Sequence, residues 1–281
     1  DTGDGTDASM AIRGFASRFG MKGETDLGNG MTAHGKYEFR VRAEGTTVAP
    51  SATDGGTGAL NVERRHATVG LKGDFGNIFL GQTYHTWYNM IVGVSDYPWW
   101  GNNQYWVGTG AAGDVPIGRT AQAISYAGEF GAVSVGATVY MDGRANTDGD
   151  VDDISATEIA VRGSFGDVGV GVGINSQSNL DEDHVGIAVE VPVGPVDLRA
   201  NMVLYDDDTA LHIYAGFGNF YLDYASHDAD ALDVTHTGVT LGYTHSIGPR
   251  TLIYFEGQSV DYDDGSDADT YLRAVLKYDI L

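Results

Sequence analysis

Polar and apolar residues alternate at period two along most of this chain, and helical spacing is rare. In 34–44 the even positions His34, Lys36, Glu38, Arg40, Arg42 and Glu44 are polar. The odd positions Gly35, Tyr37, Phe39, Val41 and Ala43 are small or apolar. The same split runs through 63–73, where Arg64, His66, Thr68 and Lys72 oppose Ala67, Val69 and Leu71. It recurs at 158–165, 196–205 and 272–279. Each segment predicts a strand with one wet and one apolar face. About ten such residues, tilted, cross a bilayer.

Connections of two kinds separate these strands. Tight turns are expected at 26–30, 74–77, 129–132, 164–167, 192–195, 216–219 and 246–249, each carrying glycine. Longer polar connections are expected at 45–60, 87–118, 142–153, 177–183, 206–209, 228–234 and 262–268. The two kinds alternate, which fits a transmembrane β-barrel with short turns on one side and long loops on the other. Fourteen connections join fifteen strands. A sixteenth, at 8–15, would complete the even number of a bacterial barrel, with fourteen strands as the alternative. The fold expected is all-β: one transmembrane antiparallel barrel over 1–281.

Composition narrows the rest. There is no Cys, which excludes disulfide scaffolds, thiolate metal sites and cysteine nucleophiles. Acids outnumber bases 39 to 16, a net charge of −23, and nucleic acid is excluded as a partner. Asp exceeds Glu and only four Lys occur, a surface composition adapted to high salt. The opening DTGDGTDAS has no apolar stretch, which reads as a cytoplasmic chain or as a mature, processed one. No GxSxG, HExxH or phosphate-loop motif occurs, and no cofactor is expected. Asp148, Asp150 and Asp152 resemble the start of a calcium loop but lack its glycine and closing glutamate, leaving at most weak Ca2+ binding.

Longer motifs point further. SRFGMKGETDLGNGMTAHGKYEF at 17–39 resembles the second and third strands of the Gram-negative general-diffusion porins, with Thr25 interposed before Asp26. RRHATVGLKGDFGNIFLGQ at 64–82 and RTAQAISYAGEFGAVSVGATVY at 119–140 resemble the following hairpins. The resemblance implies an outer-membrane homotrimer in a Gram-negative bacterium, in contact with lipid and lipopolysaccharide. It further implies passive diffusion of ions and small hydrophilic solutes, and a third loop folded inward.

Here that loop is 87–118, and Trp87, Tyr97, Trp99, Trp100, Tyr105 and Trp106 need cover that a barrel interior provides. Its acids are Asp96 and Asp114. Opposite it, Arg40, Arg42 and Arg64 share the polar parity, and Arg18, Lys36 and Lys72 extend the row. Such a row sorts ions by sign across a narrow gap. The alternative is that these bases pair with Glu38, Glu44 and Glu63 and only stabilise the lumen. Lumenal arginines favour anions and the total charge favours cations, with the lean toward cations. Two other functions stay open: an outer-membrane barrel enzyme (protease or lipid hydrolase), and a soluble carbohydrate-binding β-protein.

Overall fold

The computed structural model describes residues 17–42, 61–96, 119–141, 154–178, 183–230 and 233–279. Within them the chain forms β1 (Arg18–Gly28), β2 (Met31–Arg42), β3 (Asn61–Gly73), β4 (Gly76–Gln82) and β5 (Ala123–Phe130). There follow β6 (Val133–Tyr140), β7 (Ala156–Phe165), β8 (Val168–Gln177), β9 (His184–Val193) and β10 (Val196–Tyr205). The last are β11 (Asp208–Phe217), β12 (Phe220–Ala229), β13 (Val234–Gly248), β14 (Thr251–Asp261) and β15 (Asp269–Tyr278). Each strand pairs with its sequence neighbour in a single sheet ordered β1 to β15. The strand expected at 8–15 lies outside the described residues.

All seven tight turns form. At the first, Asn29 and Gly30 both take positive φ, 53° and 74°, as a two-residue hairpin turn requires. One expected long connection does not form: only Asp206 and Asp207 separate β10 from β11. Asp206 has φ 51°, and aspartate tolerates that conformation, so an acidic stretch that reads as a loop closes a hairpin instead.

The sheet's two faces invert the pattern of a water-soluble protein. Leu272 is 87 % exposed and Phe165 71 %, whereas Glu158, Asn175, His184, His212 and Asp223 are buried. Apolar side chains therefore face outward and polar ones inward, the arrangement of a sheet set in lipid. Phe75, Phe130, Phe165, Phe217 and Phe220 stand exposed near the tight-turn ends, the place of an aromatic girdle.

Inside lies a short helical segment, α1 (Thr86–Met90) followed by a 3-10 turn (Val92–Ser95). The helix touches β5 to β8 and the turn touches β9 to β11. Seven strands laid flat would span about 29 Å, whereas these ten residues span about 15–20 Å. The sheet must curl around the segment to meet it everywhere. Trp87, Ile91, Val92 and Val94 form the apolar centre with Ala160, Ala188, Val203, Ala210 and Ala225 of the wall.

Candidate functional site

The inward segment is seated by small residues and held by buried polar ones. A Cβ added to Gly186 would lie 2.6 Å from both Ile91 Cγ2 and Trp87 Cη2, and one added to Gly171 would lie 2.8 Å from the Met90 carbonyl oxygen. These glycines leave the room that the segment fills. The cover that the sequence demands for Trp87 is thus the barrel wall itself.

Polar anchors begin at the loop's stem. Thr83 and Thr120 bridge its two ends. His85 Nε2 lies 2.9 Å from the Thr120 carbonyl and its Nδ1 lies 2.7 Å from Ser125 Oγ. A neutral ring protonated at Nε2 satisfies both, donating to the carbonyl and accepting from the hydroxyl. Burial holds the His85 pKa below the ordinary histidine value, and the Thr120 carbonyl opposes this in part. Ser125 continues to Thr138 at 3.0 Å, and Thr138 to Thr86 at 2.9 Å. One residue on, Glu158 of β7 accepts from the Trp87 backbone N–H at 2.9 Å, from Tyr140 Oη at 2.8 Å and from Asn175 Nδ2 at 3.2 Å.

Across the first strands lies a cationic cluster centred on one carboxylate. Glu38 of β2 accepts from Arg65 Nε at 2.9 Å. Lys36 Nζ lies 3.1 Å from Glu38, Arg18 3.9 Å and His66 3.8 Å. Arg40 lies 3.9 Å from Glu63. An aromatic stack joins this cluster to the inward segment. Tyr84 meets His66 edge-on and stacks on Tyr88 with centroids 3.7 Å apart. Arg119 lies over the Tyr84 ring at 4.6 Å and donates to its hydroxyl. Tyr88 in turn donates to Asp96. The phenol of Tyr88 is pushed above its ordinary pKa, by burial first and by Asp96 second. It therefore stays a donor.

One member of the expected basic row sits elsewhere. β3 carries an extra residue where Phe39 pairs with Arg64 and Glu38 with His66. Directly paired residues share a face, so Arg64 joins Phe39 outside and His66 joins Glu38 inside, while the extra residue Arg65 turns inward to Glu38. Arg64 is exposed and donates from Nε to Gln82 Oε1 at 2.5 Å. The bulge puts Arg64 out of step with His66, Thr68 and Lys72 beyond it, which parity counting alone does not register. The warning was present as three consecutive polar residues, Arg64, Arg65 and His66.

The other expected residues divide three ways. Arg18, Lys36 and Arg40 lie on the inner face in the row of Glu38. Lys72 is also on the inner face but near the tight turns, donating to Glu24 at 2.7 Å. Arg42 ends β2, where the backbone alone is described. Of the loop residues, Trp87 and Asp96 are placed, while Tyr97, Trp99, Trp100, Tyr105, Trp106 and Asp114 lie outside the described residues. So do Asp148, Asp150 and Asp152. Residues that parity did not single out include Arg65, Arg119 and His85, whereas Glu158 lies on the polar parity of 158–165 without being read as an anchor. Arg119 had no local signal, because it reaches Tyr84 only through the fold.

Comparison with known proteins agrees with this architecture. A family model described as Gram-negative porin matches residues 1–265. Outer membrane porin protein 32 of Delftia acidovorans is 24 % identical over 268 residues, covering 85 % of this chain and 72 % of that protein. The structure of an anion-selective porin from Comamonas acidovorans superposes with TM-score 0.65 at 22 % identity, covering 94 % of this chain and 86 % of the other. OmpT of Vibrio cholerae in its trimer form superposes with TM-score 0.65 at 17 % identity, over 95 % and 91 % of the two chains.

Proposed function

The chain belongs to the Gram-negative porin family, and on that footing we propose how its channel sorts what it passes. It is an outer-membrane β-barrel through which ions and small hydrophilic solutes diffuse passively. The soluble carbohydrate-binding alternative is thereby set aside. The reading advanced beyond this is a constriction formed between the inward loop and a basic wall of Arg18, Lys36, Arg40, Arg65 and Arg119, with a preference for anions.

The observation that carries it is the crowding around Glu38. Arg18, Lys36 and Arg65 share that one carboxylate, so the row retains positive charge after its internal pairing. Three bases around one carboxylate leave a net positive charge on the row whatever each pair contributes to stability. Charge elsewhere on the molecule acts through salt that screens it over about 8 Å. The wall therefore outweighs the −23 total, against the lean toward cations drawn from composition. The name of the Comamonas acidovorans structure, an anion-selective porin, points the same way. Assembly as a homotrimer is supported by the trimer form of the Vibrio cholerae protein, and contact with outer-membrane lipid and lipopolysaccharide is proposed from the apolar outer face of the sheet. Transport is the whole activity in this reading, with neither catalysis nor a cofactor.

The test is the reversal potential of single channels in a planar bilayer under a salt gradient. An anion-selective sign, weakened in Arg65→Ala and Lys36→Gln, is the expected result. A cation-selective sign in the unmodified channel would overturn the proposal.

A further inference from the structure

The 3-10 turn ends in a polar relay that ion sorting does not use. Ser95 closes the turn and is fully buried. Its Oγ lies 2.6 Å from His212 Nδ1 on β11, and His212 Nε2 lies 2.5 Å from Asp223 Oδ2 on β12. Both members of the His212–Asp223 pair are fully buried. From β10, Asn201 Nδ2 donates to Ser95 Oγ at 2.5 Å and to the Val92 carbonyl at 3.1 Å. Two neighbouring strands, β10 and β11, thus hold the turn directly, and β12 braces it through His212.

The protons in this row order themselves. A neutral His212 ring protonated at Nε2 donates there to Asp223. Nδ1 of the neutral ring then accepts from the Ser95 hydroxyl, whose oxygen accepts from Asn201. These are the residue types of a hydrolase triad. Here, however, the serine oxygen is sealed from solvent and already engaged by an amide. What remains is positional: a planar ring, held at both ends, fixes one hydroxyl and through it the end of the turn. Asp96, the first acid of the inward loop, is the next residue and is held separately by Tyr88.

We infer that Asp223 is a positioning residue for the constriction, acting through His212 to hold Ser95 and the start of the pore-narrowing stretch against the wall. The inference rests on the reading that this loop narrows the pore. Removing either end of the relay frees the turn without touching the basic wall. The effective bore then widens and fluctuates while ion preference stays.

The experiment measures swelling of proteoliposomes in a trisaccharide relative to a monosaccharide, single-channel current noise, and reversal potential. It uses Asp223→Ala, Ser95→Ala, His212→Ala and His212→Gln, with a channel whose residues 98–112 are replaced by a short glycine–serine linker as reference. Ser95→Ala leaves the wall pair intact and so keeps the test valid should Asp223→Ala fail to fold. Expected are a rise of about twofold or more in the swelling ratio and added brief current steps for Ser95→Ala, Asp223→Ala and His212→Ala, at unchanged reversal potential. His212→Gln restores the original behaviour, because one amide both accepts and donates. A linker channel that widens while Ser95→Ala and Asp223→Ala stay quiet overturns the inference alone, as does His212→Gln disturbed as much as His212→Ala. A linker channel with an unaltered ratio overturns the constriction reading and the inference with it.

Discussion

Arg65 donates to Glu38 at 2.9 Å because β3 holds one residue more than β2 at that row. The same extra residue turns the neighbouring Arg64 outward to Gln82. Two adjacent arginines thereby take opposite duties, and they should separate cleanly in mutation. A unit charge 4 Å from a passing ion is worth about 1 kcal/mol in water, in favour of an anion and against a cation, or up to about thirtyfold in anion-to-cation permeability. Arg65→Ala should shift the reversal potential toward cations within that range, and Arg40→Ala with Arg42→Ala should do the same. Arg64→Ala should leave the reversal potential unchanged.

Glu158 offers a stability test of the loop's seat. Its carboxylate collects the Trp87 N–H, the Tyr140 hydroxyl and the Asn175 amide in a fully buried place. Glu158→Ala leaves these donors without an acceptor, at about 1–3 kcal/mol each. A lower thermal unfolding midpoint is the expected outcome. Glu158→Gln should fall between, since it keeps one acceptor oxygen and places an amide where the other stood.

Packing predicts a second lesion on the same seat. Gly186→Val forces a side chain into space that Ile91 and Trp87 occupy 2.6 Å away. Overpacking of this kind costs about 1–3 kcal/mol. By contrast, an added Cβ at Gly257 meets only Leu272 Cδ2, at 3.5 Å. Heat stability in detergent should drop for Gly186→Val and hold for Gly257→Ala.

Acid should loosen the loop's stem through His85. Its pKa in the folded chain lies below the unfolded value, so the unfolded chain binds the proton more readily. Stability is full above the ordinary histidine value of about 6.5 and declines as pH falls below it toward the depressed folded value. A protonated ring also loses its acceptor at Nδ1, and Ser125 must turn its hydroxyl away. Melting curves between pH 7 and 4 should show this decline, and His85→Gln should flatten that part of it.

Much of the barrel was legible along the chain because alternation is a local property. The ten residues around Tyr37 and Phe39 declare two faces without reference to any other strand. Glycine in the tight turns declares itself likewise. The basic wall was half legible: Arg18, Lys36 and Arg40 follow parity, and Arg65 breaks it. Asp206 and Asp207 misled for a related reason, since the acids that favour loops also tolerate a two-residue hairpin.

The sequence alone determined an up-and-down β-barrel, its tight turns and its porin membership, because all three rest on short-range spacing and motifs. Only the tertiary structure decided which arginine enters the lumen, since a single-residue bulge is invisible to a period-two count. It alone decided what holds the inward loop, since Trp87 meets Glu158 across 71 positions and Ser95 meets His212 across 117. Contacts of that span arise when a curled sheet brings distant strands around one short segment. Local spacing carries no record of that closure.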